Sequence, residues 1–310
     1  MKKPRIIVNP ADPVSLAKHY LRPMFSQWLE IVDYDPNHIR VEPGDLVMSL
    51  VTQSHNWYQP LLDRGARIVY DVTWEYATLN VFQEKFPGAF FATAKCFFWI
   101  NEHFGNCLAG HHNYVPNFSE PCTHLALLPI RQTKPHRRQL LTALKPWLNN
   151  MIYSTVDQGR YLPNDVPESF GNFQRNFNPE WYQKTHFSIV SETTTYTKYL
   201  LHVTEKTFKP LAFFHPFIVY GQPGTLGYLH ELGFETYPNL FDESYDNNLD
   251  QESRLAQVIK NIKNFKQDTY DAETQARMRH NNALFYNRDR VLDLMRKEIV
   301  EPLLEYAETR

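Results

Sequence analysis

Short runs of consecutive apolar residues alternate along this chain with stretches in which apolar positions recur at helical spacing. That alternation is the pattern of buried strands joined by amphipathic helices. In the first third, Arg5 to Val8, Ile31 to Tyr34, Asp45 to Val51 and Arg67 to Val72 read as strands, and a further apolar run extends from Ala89 to Ile100. Helices are expected from Pro13 to Leu29, entered through Asp12 and Pro13, and from about Trp57 to Arg64, ending at Gly65. Pro116 and Pro121 interrupt the pattern between Tyr114 and Cys122, and a domain boundary is expected there.

A second series begins with the apolar strand His124 to Ile130, the basic loop RQTKPHRR, a helix through Leu148 and a strand from Met151 to Thr155. The aromatic, Asn- and Pro-rich stretch from Gly159 to Tyr182 is long for a plain connection and reads as a binding loop or lid. From Phe187 to Phe234 the order strand, loop, helix occurs twice. A polar loop leads to Thr204-Glu205-Lys206 at the start of one helix, and the β-branched run Phe217 to Tyr220 stops at Gly221-Gln222-Pro223-Gly224 before the next. Helical patterns over Gln251 to Phe265, Asp271 to Phe285 and Asp289 to Tyr306 close the chain. The fold class is therefore α/β, with mainly parallel sheets covered by helices on both faces.

A chain of 310 residues can form two domains of ordinary size, and 43% hydrophobic with 15% aromatic residues is a globular composition. The net charge of -2 excludes a global attraction to nucleic acid or anionic membrane, so any such binding rests on a local patch. The first apolar run is too short for a signal peptide, and no stretch approaches transmembrane length. A soluble, cytoplasmic protein without stable membrane association is the expectation. Cys96, Cys107 and Cys122 are odd in number and confined to one region, unlike an extracellular disulfide framework. Although His103, His111, His112 and His124 lie among them, there is no CxxC or HxxxH pair, and loop and core roles are preferred to a zinc site.

In a strand-helix-strand unit, polar ligands bind beyond the carboxyl ends of the strands, where loops lead into helix N-termini. Ser191, Glu192, Thr204, Glu205, Lys206 and Gly221 all fall at such an edge. Arg131, Lys134, Arg137 and Arg138 follow another strand and precede a helix, where guanidinium groups and backbone amides can converge on a diphosphate. The plain alternatives are a solvated basic turn and a Glu205 that only complements its helix dipole. Two cationic elements in one inferred domain favour the phosphate reading over either alone.

A general base is sought at strand ends of the first domain, where Asp71 and Glu75 in YDVTWE, backed by His55 in TQSHNW, are the candidates. Asp71 or Thr73 serves equally well as a cap for a helix near Trp74, with Glu75 complementing its dipole. Asp33-Tyr34-Asp35 comes too early for a metal-binding DxD element and reads as a turn, and Asp242 to Asp246 lacks the spacing of a calcium loop. No Walker loop, GxGxxG or GxSxG is present. Trp57, Tyr58, Trp74, Tyr76, Phe170, Phe173, Trp181 and Tyr182 suit either stacking on sugars and bases or plain core packing.

Taken together, the Glu after a strand, the Thr-Glu-Lys opening a helix and the apolar strand ending in Gly resemble the donor-binding segment of the fucosyltransferases and related GT-B glycosyltransferases. The likeness covers Phe187 to Phe234, with a longer spacing between Glu192 and Glu205, Ser191-Glu192-Thr193 where that family has Glu-Asn-Ser, and His215-Pro216 before the second strand. The resemblance implies a GT-B-like pair of Rossmann-like, doubly wound domains facing a cleft. These would be residues 1–122 on the acceptor side and 123–285 on the nucleotide-sugar side, with 286–310 a terminal helix returning to the first. It further implies Glu205 at the ribose, Lys206 at the phosphates and the basic loop at the diphosphate, with no cofactor beyond the nucleotide-sugar donor and no essential metal. Transfer would be to an acceptor hydroxyl, on a glycan or on a phage-type hydroxymethylated DNA base. From a different class, a non-catalytic nucleotide- or sugar-binding protein is the alternative.

Overall fold

The computed structural model describes residues 3–11, 21–50, 57–73, 76–87, 89–163, 178–266 and 270–309. The first half of the helix expected from Pro13 to Leu29, much of the stretch from Gly159 to Tyr182, and His55, Trp74, Glu75, Phe170 and Phe173 lie outside the described residues.

Two α/β units emerge, each on a wholly parallel sheet. One comprises Met1–Phe104 with Arg288–Arg310, and the other Gly105–Asn287. In the first, strands β1 (Arg5–Val8), β2 (Glu30–Asp33), β3 (Leu46–Leu50), β4 (Arg67–Asp71) and β5 (Phe90–Ala92) stand in the order β2-β1-β3-β4-β5. Its short helices are α1 (Arg22–Phe25), α2 (Gln59–Leu62) and α3 (Leu79–Lys85). Ile7, Val47, Leu61 and Ala66 form a core cluster beneath Tyr34, Ile39, Trp57 and Tyr58, so the two last-named aromatics pack there. Gly65 ends the α2 turn at a φ of 96°, a conformation other residues rarely adopt.

The division between units falls inside α4 (Phe97–Leu108), not in the Pro-rich loop at 122/123. Only Phe90–Ala92 of the apolar run from Ala89 to Ile100 is strand. Its later part is the first turn of α4, whose Phe97, Trp99 and Ile100 are fully buried.

In the second unit β6 (His124–Ile130), β7 (Met151–Thr155), β8 (Thr185–Ser191) and β9 (Phe217–Tyr220) stand in the order β7-β6-β8-β9. Helices α5 (Pro135–Leu144), α6 (Pro179–Gln183), α7 (Glu205–Ala212), α8 (Thr225–Leu232), α9 (Gln251–Asn264) and α10 (Ala272–Phe285) connect and cover them. Leu127, Leu128, Ile189 and Ile218 on the strands and Leu140, Phe208, Leu229 and Val258 on the helices are at most 1% exposed, so both sheet faces are sealed. These are two Rossmann-like units, with the parallel sheets that the sequence pattern predicts.

The chain returns to the first unit through α11 (Arg288–Met295), a π-helical turn over Arg296–Val300 and α12 (Glu301–Glu308). Tyr306 stacks on Phe90 with ring centroids 4.2 Å apart, and the Arg67 guanidinium lies 3.8 Å from the Tyr306 ring centre. Arg67 also donates to the Thr309 carbonyl. No helix among the described residues is long and apolar enough to cross a membrane.

Candidate functional site

The parallel register of the second sheet sets four chain exits along one edge. Ile130 pairs with Thr155 and Ser191 with Tyr220. His124 pairs with Thr185, and that offset sets Ile130 level with Ser191. Because β6 has β7 on one side and β8 on the other, the order reverses between β6 and β8. This is the switch point of the sheet, the usual place for a ligand in an open α/β sheet.

Glu192, the first residue beyond β8, turns its side chain inward and is 1% exposed. One carboxylate oxygen, Oε1, accepts from the Thr204 amide at 2.9 Å and the Thr207 hydroxyl at 2.6 Å. The other, Oε2, accepts from the Thr193 amide at 3.0 Å and the Thr204 hydroxyl at 2.5 Å. Four donors therefore occupy this carboxylate, and it ties the strand end to the start of α7. The Thr204 hydroxyl, aimed at Glu192, makes no cap bond of its own to the helix. Gly221 permits the arrangement, since a β-carbon there would meet Cβ and Cγ of Glu192 at 3.2 Å.

The loop from 193 to 203 is held from behind. Gln222 donates its amide to the carbonyls of Tyr196, Tyr199 and Leu200 at 3.0 to 3.1 Å and accepts from the His202 amide. Arg254, 1% exposed, donates to the carbonyls of Thr195, Gly221 and Asn248. A buried guanidinium here ties three backbone segments together in place of a salt bridge.

The cations of the two predicted elements meet at Thr193. The Lys134 ammonium donates to the Thr193 carbonyl at 3.3 Å, and the Lys206 ammonium to its hydroxyl at 3.3 Å. Lys206 also bonds Glu205 at 2.6 Å and the Thr204 hydroxyl at 3.2 Å. Burial raises the Glu205 carboxyl pKa, but Lys206 and Lys209 outweigh it and hold it at about 2. Glu205 is therefore a carboxylate at neutral pH, at the N-terminus of α7 where the helix dipole favours an anion.

Arg137 departs from its expected role. It is 3% exposed and donates to the carbonyls of Gln132, Ser191 and Glu192, while its Nε is buried without a partner among the described residues. Burial lowers its pKa, and among the described residues it pairs with no carboxylate. It is a structural cation that fixes the carbonyls at the end of β8. Beside it, His136 donates from Nε2 to the Glu192 carbonyl at 3.0 Å, and burial lowers its pKa to about 4, so the ring is neutral.

The loop after β6 is closed from the next one. Asp157 accepts from the amide and the hydroxyl of Thr133 at 2.7 and 2.8 Å. Arg138 is exposed, and Arg131 is half-buried at the head of the same loop. Ser191 Oγ is buried with no hydrogen-bond partner among the described residues.

An α1,3-fucosyltransferase crystal structure with GDP-fucose is similar to this chain. The similarity spans 94% of this chain and 92% of that one at 12% identity, with a TM-score of 0.39, a level from which nothing about the site follows. No family model matches, and no curated protein does.

Of the sequence candidates, Arg131, Lys134, Arg137, Glu192, Thr204, Glu205, Lys206 and Gly221 are thus gathered at one sheet edge, with Glu192, Thr204, Arg137 and Gly221 turned to building it. Thr193, Asp157, His136, Gln222 and Arg254 complete the edge and were not singled out. Only the polarity of Thr193 and Gln222 just past strand ends pointed to them. In the first unit, Asp71 is 1% exposed and its Oδ1 accepts from the amide and the hydroxyl of Thr73 at 3.0 and 2.7 Å, closing a local turn. Asp35 likewise caps a turn through the Asn37 amide, and Asp242 caps a short helical turn through Ser244. Among the described residues no three His, Cys, Asp or Glu side chains gather as a metal site requires.

Proposed function

We propose that this chain is a glycosyltransferase that draws a sugar from a nucleotide-sugar donor and passes it to an acceptor hydroxyl. One observation supports the reading above all: Lys134 and Lys206, from two different strand-to-helix connections, converge on Thr193 at the switch point of the second sheet. Two ammonium groups and a helix N-terminus at one sheet edge suit a diphosphate, and one carboxylate beside them suits a ribose. In this reading Lys134 and Lys206 bind the diphosphate, Arg131 and Arg138 add positive charge at its rim, and Glu205 accepts from the ribose hydroxyls. The same cations stabilise the negative charge that grows on the leaving nucleoside diphosphate. Arg137 contributes through the carbonyls that it holds.

The acceptor hydroxyl needs a base, and Asp71, Glu75 and His55 remain the proposed candidates. The acceptor itself is proposed to be a glycan, with a hydroxymethylated DNA base as the second reading, since a localised basic loop permits phosphate contacts in a chain of net charge -2. Titration calorimetry of Lys134→Ala and Lys206→Ala against pyrophosphate and a panel of nucleotide sugars tests the donor site. Each variant should lose tenfold or more in affinity by losing one of the charge-assisted contacts (~1.5–3 kcal/mol). Unchanged affinity in both would sink the assignment. Slow release of nucleoside diphosphate from one donor separates an enzyme from a binding protein, and transfer to saccharide or to modified duplex separates the acceptors.

A further inference from the structure

The loop between Glu192 and Lys206 carries a second feature that the diphosphate reading leaves unused. Its tip, Tyr196 to Leu200, projects side chains outward while its backbone is fastened inward by Gln222 and Arg254. Tyr196 is 44% exposed, and its ring stands 6.4 Å from that of Tyr199 at 71°. The Lys198 ammonium lies 5.8 Å from the first ring centre and 5.0 Å from the second. Three carbonyls on one buried amide fix the tip, so the rings are displayed by a braced backbone, with little ordering left to do on binding.

We propose that Tyr196, Lys198 and Tyr199 form a stacking platform for the nucleobase of the donor, an inference that rests on the diphosphate reading of Lys134 and Lys206. Position is the first argument. The platform belongs to the same loop as Thr193, leaves the carboxyl end of β8 and is pinned by Gln222, just past the neighbouring β9. A donor whose phosphates lie at Lys134 and Lys206 therefore carries its nucleoside beside this loop. Chemistry is the second. A nucleobase offers a π-face to tyrosine and ring or carbonyl acceptors to an ammonium, and Lys198 stands against both rings. From Thr193 to His202 there is no carboxylate to bind sugar hydroxyls. That absence favours a flat base over a pyranose as the occupant.

Calorimetry on the full chain separates this proposal from its premise. Tyr196→Ala alters only an exposed side chain, since it is the Tyr196 carbonyl that Gln222 holds. Affinity for uridine and guanosine diphosphates should fall about 5- to 150-fold, while affinity for pyrophosphate stays within about twofold and Tyr196→Phe keeps wild-type binding. Unchanged diphosphate affinity in Tyr196→Ala would overturn the platform and leave the phosphate site standing. Equal losses for pyrophosphate and the nucleotides would show loop collapse in place of base contact and overturn it as well. A wild-type chain that binds neither ligand refutes the phosphate site, and the platform with it. If nucleotide affinity holds but the acceptor KM rises, the rings belong to the acceptor.

Discussion

Replacing Glu192 with Gln tests whether this residue anchors the site or touches its ligand. In the wild type its two oxygens receive four hydrogen bonds, two from backbone amides that cannot turn away and two from threonine hydroxyls that can. A Gln whose carbonyl takes the place of Oε1 keeps the Thr204 amide and the Thr207 hydroxyl. Its NH2 then faces the Thr193 amide, donor against donor, while the Thr204 hydroxyl rotates to accept. The part-buried Thr193 backbone N–H loses its acceptor, at a cost of about 1–3 kcal/mol. In a unit of 183 residues, counted from Gly105 to Asn287, that cost lowers the melting temperature by roughly 2–12 °C. Thermal unfolding by circular dichroism reads the shift, and calorimetry with a nucleoside diphosphate reads the site. Binding should weaken severalfold, because Thr193 carries both lysine contacts. A variant as stable as wild type that has nevertheless lost all nucleotide binding would refute the anchoring argument and make Glu192 a ligand contact.

Three other perturbations follow from the packing of the second unit. His136 and His215 are buried, and burial holds both at about 4, below the usual 6.5. The unfolded chain therefore takes up protons first as pH falls. Stability should be complete above 6.5 and decline towards 4, and urea titrations across that range should show His215→Asn flattening the decline. Glu205, held at about 2 against an ordinary 4.5, contributes stability that is present above 4.5 and lost as pH falls through about 2. Gly221→Ala would drive a methyl to 3.2 Å from both Glu192 and Val219 and should cost about 1–3 kcal/mol in the same melts, whereas an unchanged melting temperature would mean the strand end yields freely.

Much of the architecture was legible because strand runs such as LALLPI and FIVY are apolar without interruption, as strands covered on both faces must be. The two cationic connections were legible too, since both sit between a strand and a helix. Hidden from the sequence was the direction in which charged residues face. Arg137, Glu192 and Arg254 break the expectation that charges are exposed. Each does so by satisfying backbone groups that are distant in sequence, and local spacing carries no trace of such partners. The division inside α4 was equally illegible. FFWINEHFGNCL stays apolar enough to be buried throughout its first half, and nothing in its composition marks where one core ends.

The return of Arg288–Arg310 to the first sheet gives synthesis an order. The second unit is continuous in the chain, so it can close upon itself as soon as residue 287 has emerged. The first unit emerges earlier yet finishes later. Until Tyr306 arrives to stack on Phe90 and Arg67, the aromatic edge of β5 has no cover from the terminal helix. An exposed strand edge invites pairing with other chains. For this protein, then, the hazardous interval during manufacture is the time the ribosome spends on the whole middle of the message.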